Sequence, residues 1–166
     1  RSLCLLPTHF GHGLIGNSLT PLLSGQNLIL LNANKEIEIT ANLGKIIDQH
    51  KVTFMSSVPA MWRMITKMAK PPVKKTLKRI HIGSAPLSEN LWNDVIKWSR
   101  INEVVNMYGI TETANWIAGA SATSMKPEDG LIGCMWGGMA AIKKKSGEIV
   151  SEGEGEIMVI NPSLMS

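Results

Sequence analysis

At 166 residues the chain is the size of one ordinary domain, and its 44% hydrophobic and 18% charged residues exclude intrinsic disorder. The formal net charge of +4 draws small anions mildly. The basic residues are scattered, with Lys74, Lys75, Lys78 and Arg79, then Lys143 to Lys145, in stretches that read as solvated connections, so the stripe of a nucleic-acid binder is missing. Cys4 and Cys134 are too few and too far apart for a disulfide framework or a zinc cluster. Each sits in an apolar run as a buried small hydrophobe would, and a reducing, cytoplasmic setting is expected. No apolar stretch reaches the roughly 18 residues of a membrane span, and the N-terminus carries no signal-peptide pattern. Arg1-Ser2 leads into an apolar run without an initiator Met, as in a chain cut from something longer.

In chain order, Leu3 to Leu6 reads as a strand bounded by Pro7, and Leu14 to Leu23 as a helix ended near Ser24-Gly25 by a glycine C-cap. Asn27 to Leu31 is a second strand. Ile37 to His50 has apolar residues at helical spacing (Ile39, Leu43, Ile46, Ile47), and Val52 to Met55 is a third strand. Pro59 begins a helix well because its missing N–H would be an orphan there. Met61 to Met68 continues it and Pro71-Pro72 stops it. Arg79 to Ile82 is a strand, Ser88 to Trp98 a helix with Ser88 as N-cap, and Glu103 to Met107 a further strand. This alternation predicts an α/β fold, an open mostly parallel sheet flanked by helices with right-handed crossovers. After Trp116 the chain becomes Gly-rich, and Met139 to Lys143, Gly147 to Val150 and Glu156 to Ile160 read as short antiparallel hairpins at the C-terminal end. Lys126 to Gly130 is the expected linker, dividing the chain into 1–125 and a β-rich 126–166.

Ligand sites in open α/β sheets lie beyond the carboxyl ends of the strands, and two loops of unusual composition fall there. Gly83-Ser84-Ala85-Pro86-Leu87 has small residues that let a flat ligand approach the backbone and a proline that stiffens the turn. Tyr108-Gly109-Ile110-Thr111-Glu112 supplies an aromatic face, a pivot, a hydroxyl and a carboxylate. That set suits a purine, a phosphate and a hard cation such as Mg2+. On residue type alone each loop also reads as a plain turn, Glu112-Thr113 as a helix cap, and His9 and His12 as ordinary polar loop residues.

Asn106-Met107-Tyr108-Gly109-Ile110-Thr111-Glu112 resembles the Y-G-x-T-E core motif of the adenylate-forming (AMP-binding) superfamily, which includes acyl-CoA synthetases, peptide-synthetase adenylation domains and luciferases. Gly83 to Leu87 is similar to its S-G-A-A-P-L segment, with Ile82 replacing the leading Ser and Ser84 the first Ala. Pro7 to Leu14 resembles P-L-F-H-x-x-G-L, Ser57-Val58-Pro59-Ala60-Met61 resembles G-V-P-T-M, and Gly155 to Val159 resembles G-E-L-x-V. These segments occur in the family's order along nearly the whole chain. The sequence departs from the family pattern at Asn161, where Gly usually precedes Pro162, and in having no T-G-D motif. The phosphate loop expected earlier and the ribose-binding Asp, hinge and catalytic-Lys domain expected later have no counterpart in it.

The resemblance implies the second subdomain of the adenylate-forming fold and a central fragment of an acid–thiol ligase. Such an enzyme converts a carboxylic acid and ATP to acyl-AMP and passes the acyl group to coenzyme A or a carrier-protein thiol. It implies that Tyr108 stacks on adenine. Gly83, Ser84, Ala85 and Pro86, with Asn106, Met107, Gly109 and Ile110, would line the nucleotide. Thr111 would bind a phosphate and Glu112 would hold Mg2+, these two being the catalytic pair. Phe10, His12 and Trp116 would belong to the acid pocket, with Trp116 to Ser121 as one wall. The fragment by itself is expected to be inactive, and a homodimer is expected from apolar surface left uncovered. Two other readings are a non-catalytic short form that binds nucleotide or a protein partner, and a flavodoxin-like regulator, whose acidic cluster the sequence lacks.

Overall fold

A computed structural model describes residues 1–31, 36–114 and 116–165. Its main element is a seven-stranded sheet of order β2-β1-β3-β4-β5-β6-β7. Strands β1 (Ser2–Cys4), β2 (Leu28–Leu30), β3 (Phe54–Ser57), β4 (Arg79–Ile82) and β5 (Val104–Gly109) are parallel. Strands β6 (Trp116–Ser121) and β7 (Cys134–Met135) close the edge antiparallel. Strands β8 (Met139–Lys143), β9 (Ile149–Val150) and β10 (Glu156–Ile160) form a separate antiparallel sheet of order β10-β8-β9.

Strand alternation sorts side chains onto two faces. On one face Leu3, Met55, Ile80, Ile82 and Val104 join a single core with α3 (Leu43–His50), α4 (Pro59–Met68) and α5 (Glu89–Ser99) through Leu43, Ile47, Trp62, Ile65, Trp92 and Val95. Each such side chain taken fully from water contributes roughly 1.5–3 kcal/mol. Two indoles keep their polar ends satisfied: Trp92 Nε1 donates to Val104 O at 3.0 Å and Trp98 Nε1 to Ala69 O at 2.9 Å, whereas the Nε1 of Trp62 is buried without a partner among the described residues. The opposite face is covered by a π-helical segment, His12–Leu19, which continues into α1 (Thr20–Leu23).

The π-helix has a side-chain cause. In a π-helix the repeat is i→i+5, which brings His12 and Asn17 to one side. Both bind Ser56 on β3, His12 through Nε2 to Oγ at 2.6 Å and Asn17 Nδ2 to the carbonyl at 3.1 Å. Ser18 Oγ donates back to Gly13 O at 2.9 Å with the same spacing. Gly13 is required at this contact, because an added Cβ would lie 1.9 Å from Pro7 O.

Several expected boundaries move. The helix expected over Ile37 to His50 is two, α2 (Glu36–Ala41) and α3. Asn42 breaks it, with non-helical φ −105°, ψ 11° and its amide donating to Glu38 O at 3.0 Å. The strand expected at Leu3 to Leu6 stops at Cys4, the last residue paired with β2 and β3. That expected at Val52 to Met55 is shifted to Phe54–Ser57, because buried Ser56 and Ser57 extend the ladder beyond the apolar run. β5 runs two residues beyond the expected Met107, since β6 pairs with it as far as Gly109. Tyr108 is thus on the strand, not in the loop after it. β6, where the sequence pattern predicted no strand, belongs to the main sheet. The stretch 126–130 leads from β6 to β7, and Asp129 Oδ1 accepts from Glu89 N at 2.6 Å at the start of α5.

Ser88 caps α5 as expected, its Oγ accepting from Leu91 N at 3.3 Å. Ser88→Ala should therefore cost about 1 kcal/mol in denaturant unfolding while Ser88→Thr costs less. An unchanged midpoint in the alanine variant would show that Asp129 alone suffices.

Candidate active site

Strand order reverses between β1 and β3, the switch point at which a crevice opens beyond the strand ends. A cavity of about 460 Å³ lies beyond the carboxyl ends of β4 and β5, closed by the segment that follows β1. It takes Phe10 and His12 from the segment after β1, Ser84 from the turn after β4, Gly109, Thr111 and Glu112 from the end of β5 and beyond, and Trp116 from β6.

Each loop is held in shape by a local cause. A Cβ on Gly83 would lie 2.6 Å from the Trp116 ring and 2.9 Å from Met107 O, so only glycine lets the indole lie on the backbone. Ser84 is then left-handed at φ 66°, a conformation costing a non-glycine residue about 1 kcal/mol. Its hydroxyl meets His12 Nδ1 at 2.9 Å, which offsets that cost. After β5 a 3-10 turn, Thr111–Thr113, buries Thr113 and leaves Thr111 and Glu112 exposed toward the cavity. Left-handed Ala114, φ 63°, ends the turn.

His12 is buried, with one ring nitrogen on Ser56 Oγ and the other on Ser84 Oγ. Its ring stands edge-on to Trp116 at 4.5 Å between centroids. Burial lowers its pKa to about 4, so the ring is neutral at neutral pH. One nitrogen donates and the other accepts, and the imidazole joins the two serines. His81 points to the same face from β4, edge-on to Phe54 at 4.8 Å. Its pKa is likewise lowered to about 4, by burial first, then by the charge of Arg79 and by repulsion from His12 should that ring take up a proton. Beyond Trp116 lies a second cavity of about 560 Å³, which His81, Phe54, Met107, Gly16 and Trp136 help to line. Trp116 is a wall of both cavities.

The structure brings together Phe10, His12, Ser84, Gly109, Ile110, Thr111, Glu112 and Trp116 on one cavity. Other expected residues lie around it. Gly83 is buried beneath Trp116, and Ala85 and Pro86 are exposed beyond the turn. Met107 faces the second cavity. Asn106 is buried, its amide donating to Leu131 O at 2.7 Å. Tyr108, on the same strand face as Asn106, is half-buried. His12 is no ordinary polar loop residue, because the π-helix carries its ring inward between two serines. Ser56, His81 and Trp136 were not foreseen. A polar residue alternating with buried Ile80 and Ile82 was the available signal for His81.

An open α/β sheet with a cavity beyond the carboxyl ends of its strands defines a class of nucleotide- and cofactor-binding folds. Over residues 1–166 the chain matches the model of the AMP-binding enzyme family, and it belongs to that family. It is 26% identical over 168 residues to the acyl-CoA ligase AFT1-1 of Alternaria alternata, covering 98% of this chain and 28% of that protein. It thus spans under a third of that relative's length. Its fold is similar to the N-terminal domain of FACL13 from Mycobacterium tuberculosis, with TM-score 0.82 and 21% identity over 99% of this chain and 40% of that one. It is also similar to o-succinylbenzoate coenzyme A synthetase from Bacillus subtilis in complex with ATP and magnesium ion, with TM-score 0.77 and 24% identity over 99% and 33%.

Because both buried rings are neutral when folded but titrate near 6.5 when unfolded, the unfolded chain binds more protons between about pH 6.5 and about 4. Stability is full above that window and is lost as pH falls through it. Melting temperature should drop between about pH 7 and 5, and His81→Phe should blunt the drop. A flat profile in the parent chain would contradict the burial of neutral rings.

Proposed function

We propose that this chain is the acid- and adenine-binding part of an ATP-dependent acid–thiol ligase. The cavity that presents Thr111 and Glu112 beside Ser84 and His12 beyond the carboxyl ends of the parallel strands carries this reading.

The donor set fits Mg2+ and ATP. Glu112 is an exposed carboxylate on the cavity, and among the described residues no group of three or more His, Cys, Asp or Glu forms a metal cluster. Mg2+ is commonly held by one or two carboxylates plus phosphate oxygens, so Glu112 would hold the ion together with the nucleotide. Bound there, Mg2+ supplies charge neutralisation at the phosphates. The Thr111 hydroxyl donates to a phosphate oxygen. The exposed Ser84 to Pro86 turn and Tyr108 flank the adenine. Phe10, His12 and Trp116 shape the acid's end of the cavity, and the cavity behind Trp116 takes the acyl tail. Coenzyme A or a carrier-protein thiol is the acyl acceptor. Residues from 126 on begin with one strand of the large sheet and continue as β8 to β10, which we take as the start of a β-rich unit in a longer protein.

Among the described residues neither Lys nor Arg lines this cavity. Carboxylate and ATP are both anions, and loss of one preorganised charge-stabilising donor typically costs roughly 100- to 1000-fold in rate. The 166-residue chain alone should therefore release no measurable pyrophosphate from ATP, Mg2+ and carboxylic acids. Robust release would show that the cavity needs no cation from outside these residues.

In the full-length protein, Glu112→Gln should cut acid-dependent ATP–pyrophosphate exchange by roughly 100-fold. An unchanged rate removes Glu112 from the reaction. Trp116→Ala should join the two cavities and shift preference toward acids longer by two methylenes about tenfold, at roughly 0.8 kcal/mol per buried CH2. Unchanged preference would place the acyl tail elsewhere.

A further inference from the structure

The turn that presents Thr111 and Glu112 is held from behind by a segment far along the chain. Within the 3-10 turn, Ile110 O accepts from Thr113 N at 3.1 Å and Thr111 O from Ala114 N at 3.0 Å. The next two carbonyls take donors from the segment after β10: Met165 N donates to Glu112 O at 2.7 Å and Ser163 Oγ to Thr113 O at 2.7 Å.

That segment is itself a built turn. Asn161 Oδ1 accepts from Ser163 N at 2.9 Å, Leu164 N donates to Asn161 O at 3.0 Å, and Asn161 Nδ2 reaches Gly137 O at 3.2 Å in the loop between β7 and β8. An Asn side chain that mimics a backbone turn does this naturally, which gives the Asn161 departure from the family pattern a physical role. Ser163 Oγ also lies 2.6 Å from Asn161 Oδ1. Its single proton serves one acceptor at a time, so the hydroxyl couples the Asn161 turn to the Glu112 turn.

We propose that Asn161 to Met165 form a clamp in which Ser163 is a positioning residue for Glu112, tying the small sheet to the metal-binding edge of the cavity. This rests on the reading of Glu112 as the Mg2+ ligand. A short 3-10 turn has weak internal hydrogen-bond geometry, and a carboxylate that must meet a metal and phosphates at once gains most from such a fixed backbone. The acid's end of the cavity is built on Phe10, His12 and Trp116, whereas the clamp bonds the backbone of Glu112 and Thr113, so acid binding should not sense the clamp.

The test compares Ser163→Ala, Ser163→Thr and Asn161→Ala with the parent in the full-length protein, using ATP, Mg2+ and one accepted acid. Ser163→Ala and Asn161→Ala should raise the KM for Mg·ATP roughly five- to tenfold, the size of one lost hydrogen bond. The KM for the acid should stay unchanged, and Ser163→Thr should retain parental values. A rise in both KM values alike, or no change in that for Mg·ATP, overturns the clamp. Should Ser163→Ala fold poorly, Asn161→Ala decides by the same split. Glu112→Gln run alongside separates the two claims. If it cuts exchange while Ser163→Ala leaves the Mg·ATP KM untouched, the clamp alone fails; if Glu112→Gln changes nothing, the reading beneath it fails.

Discussion

The imidazole of His12 fixes the geometry on which the cavity depends. One ring joins a π-helical segment to β3 through Ser56 and to the turn after β4 through Ser84, and its edge meets the indole that covers Gly83. Three segments distant in sequence thereby share one neutral, buried group. The arrangement needs the ring uncharged, since a charged imidazolium out of water would oppose its own burial. It also needs Gly13 and Gly83, where backbone and ring approach too closely for a Cβ. Packing and electrostatics therefore make the same demand at one point of the fold.

On that frame the chemistry divides by face and by edge. Thr111 and Glu112 stand on the exposed edge of the cavity, and Trp116 separates it from an aromatic-walled space around His81. Among the described residues this lining holds one carboxylate and no Lys or Arg, so on the proposed reading the charge that favours reaction would come with Mg2+ and with cationic groups outside these residues. This is the physical sense in which an AMP-binding chain spanning 28% of a relative's length would hold a site without completing it.

Much of this was legible in the residues. Period-2 runs and Ser88 located β4 and α5, and the Gly83 and Tyr108 segments fall at the carboxyl ends of β4 and β5. What escaped depended on contacts between segments remote in sequence. A π-helix cannot be read from spacing tuned to 3.6 residues per turn when its cause is Ser56, 44 residues from His12. β6 was obscured because Gly119 and small alanines weaken an apolar strand signal. The inward turn of His12 looked like a loop histidine for the same reason, and the Ser163 contact links residues 50 apart.

Calorimetric binding of AMP and of Mg·ATP to full-length protein, parental and Glu112→Gln, tests the placement of the nucleotide most directly. The account predicts that the substitution leaves AMP affinity within about twofold and weakens Mg·ATP at least about tenfold, because the carboxylate acts through the metal. Equal weakening of both ligands, or of neither, would contradict it.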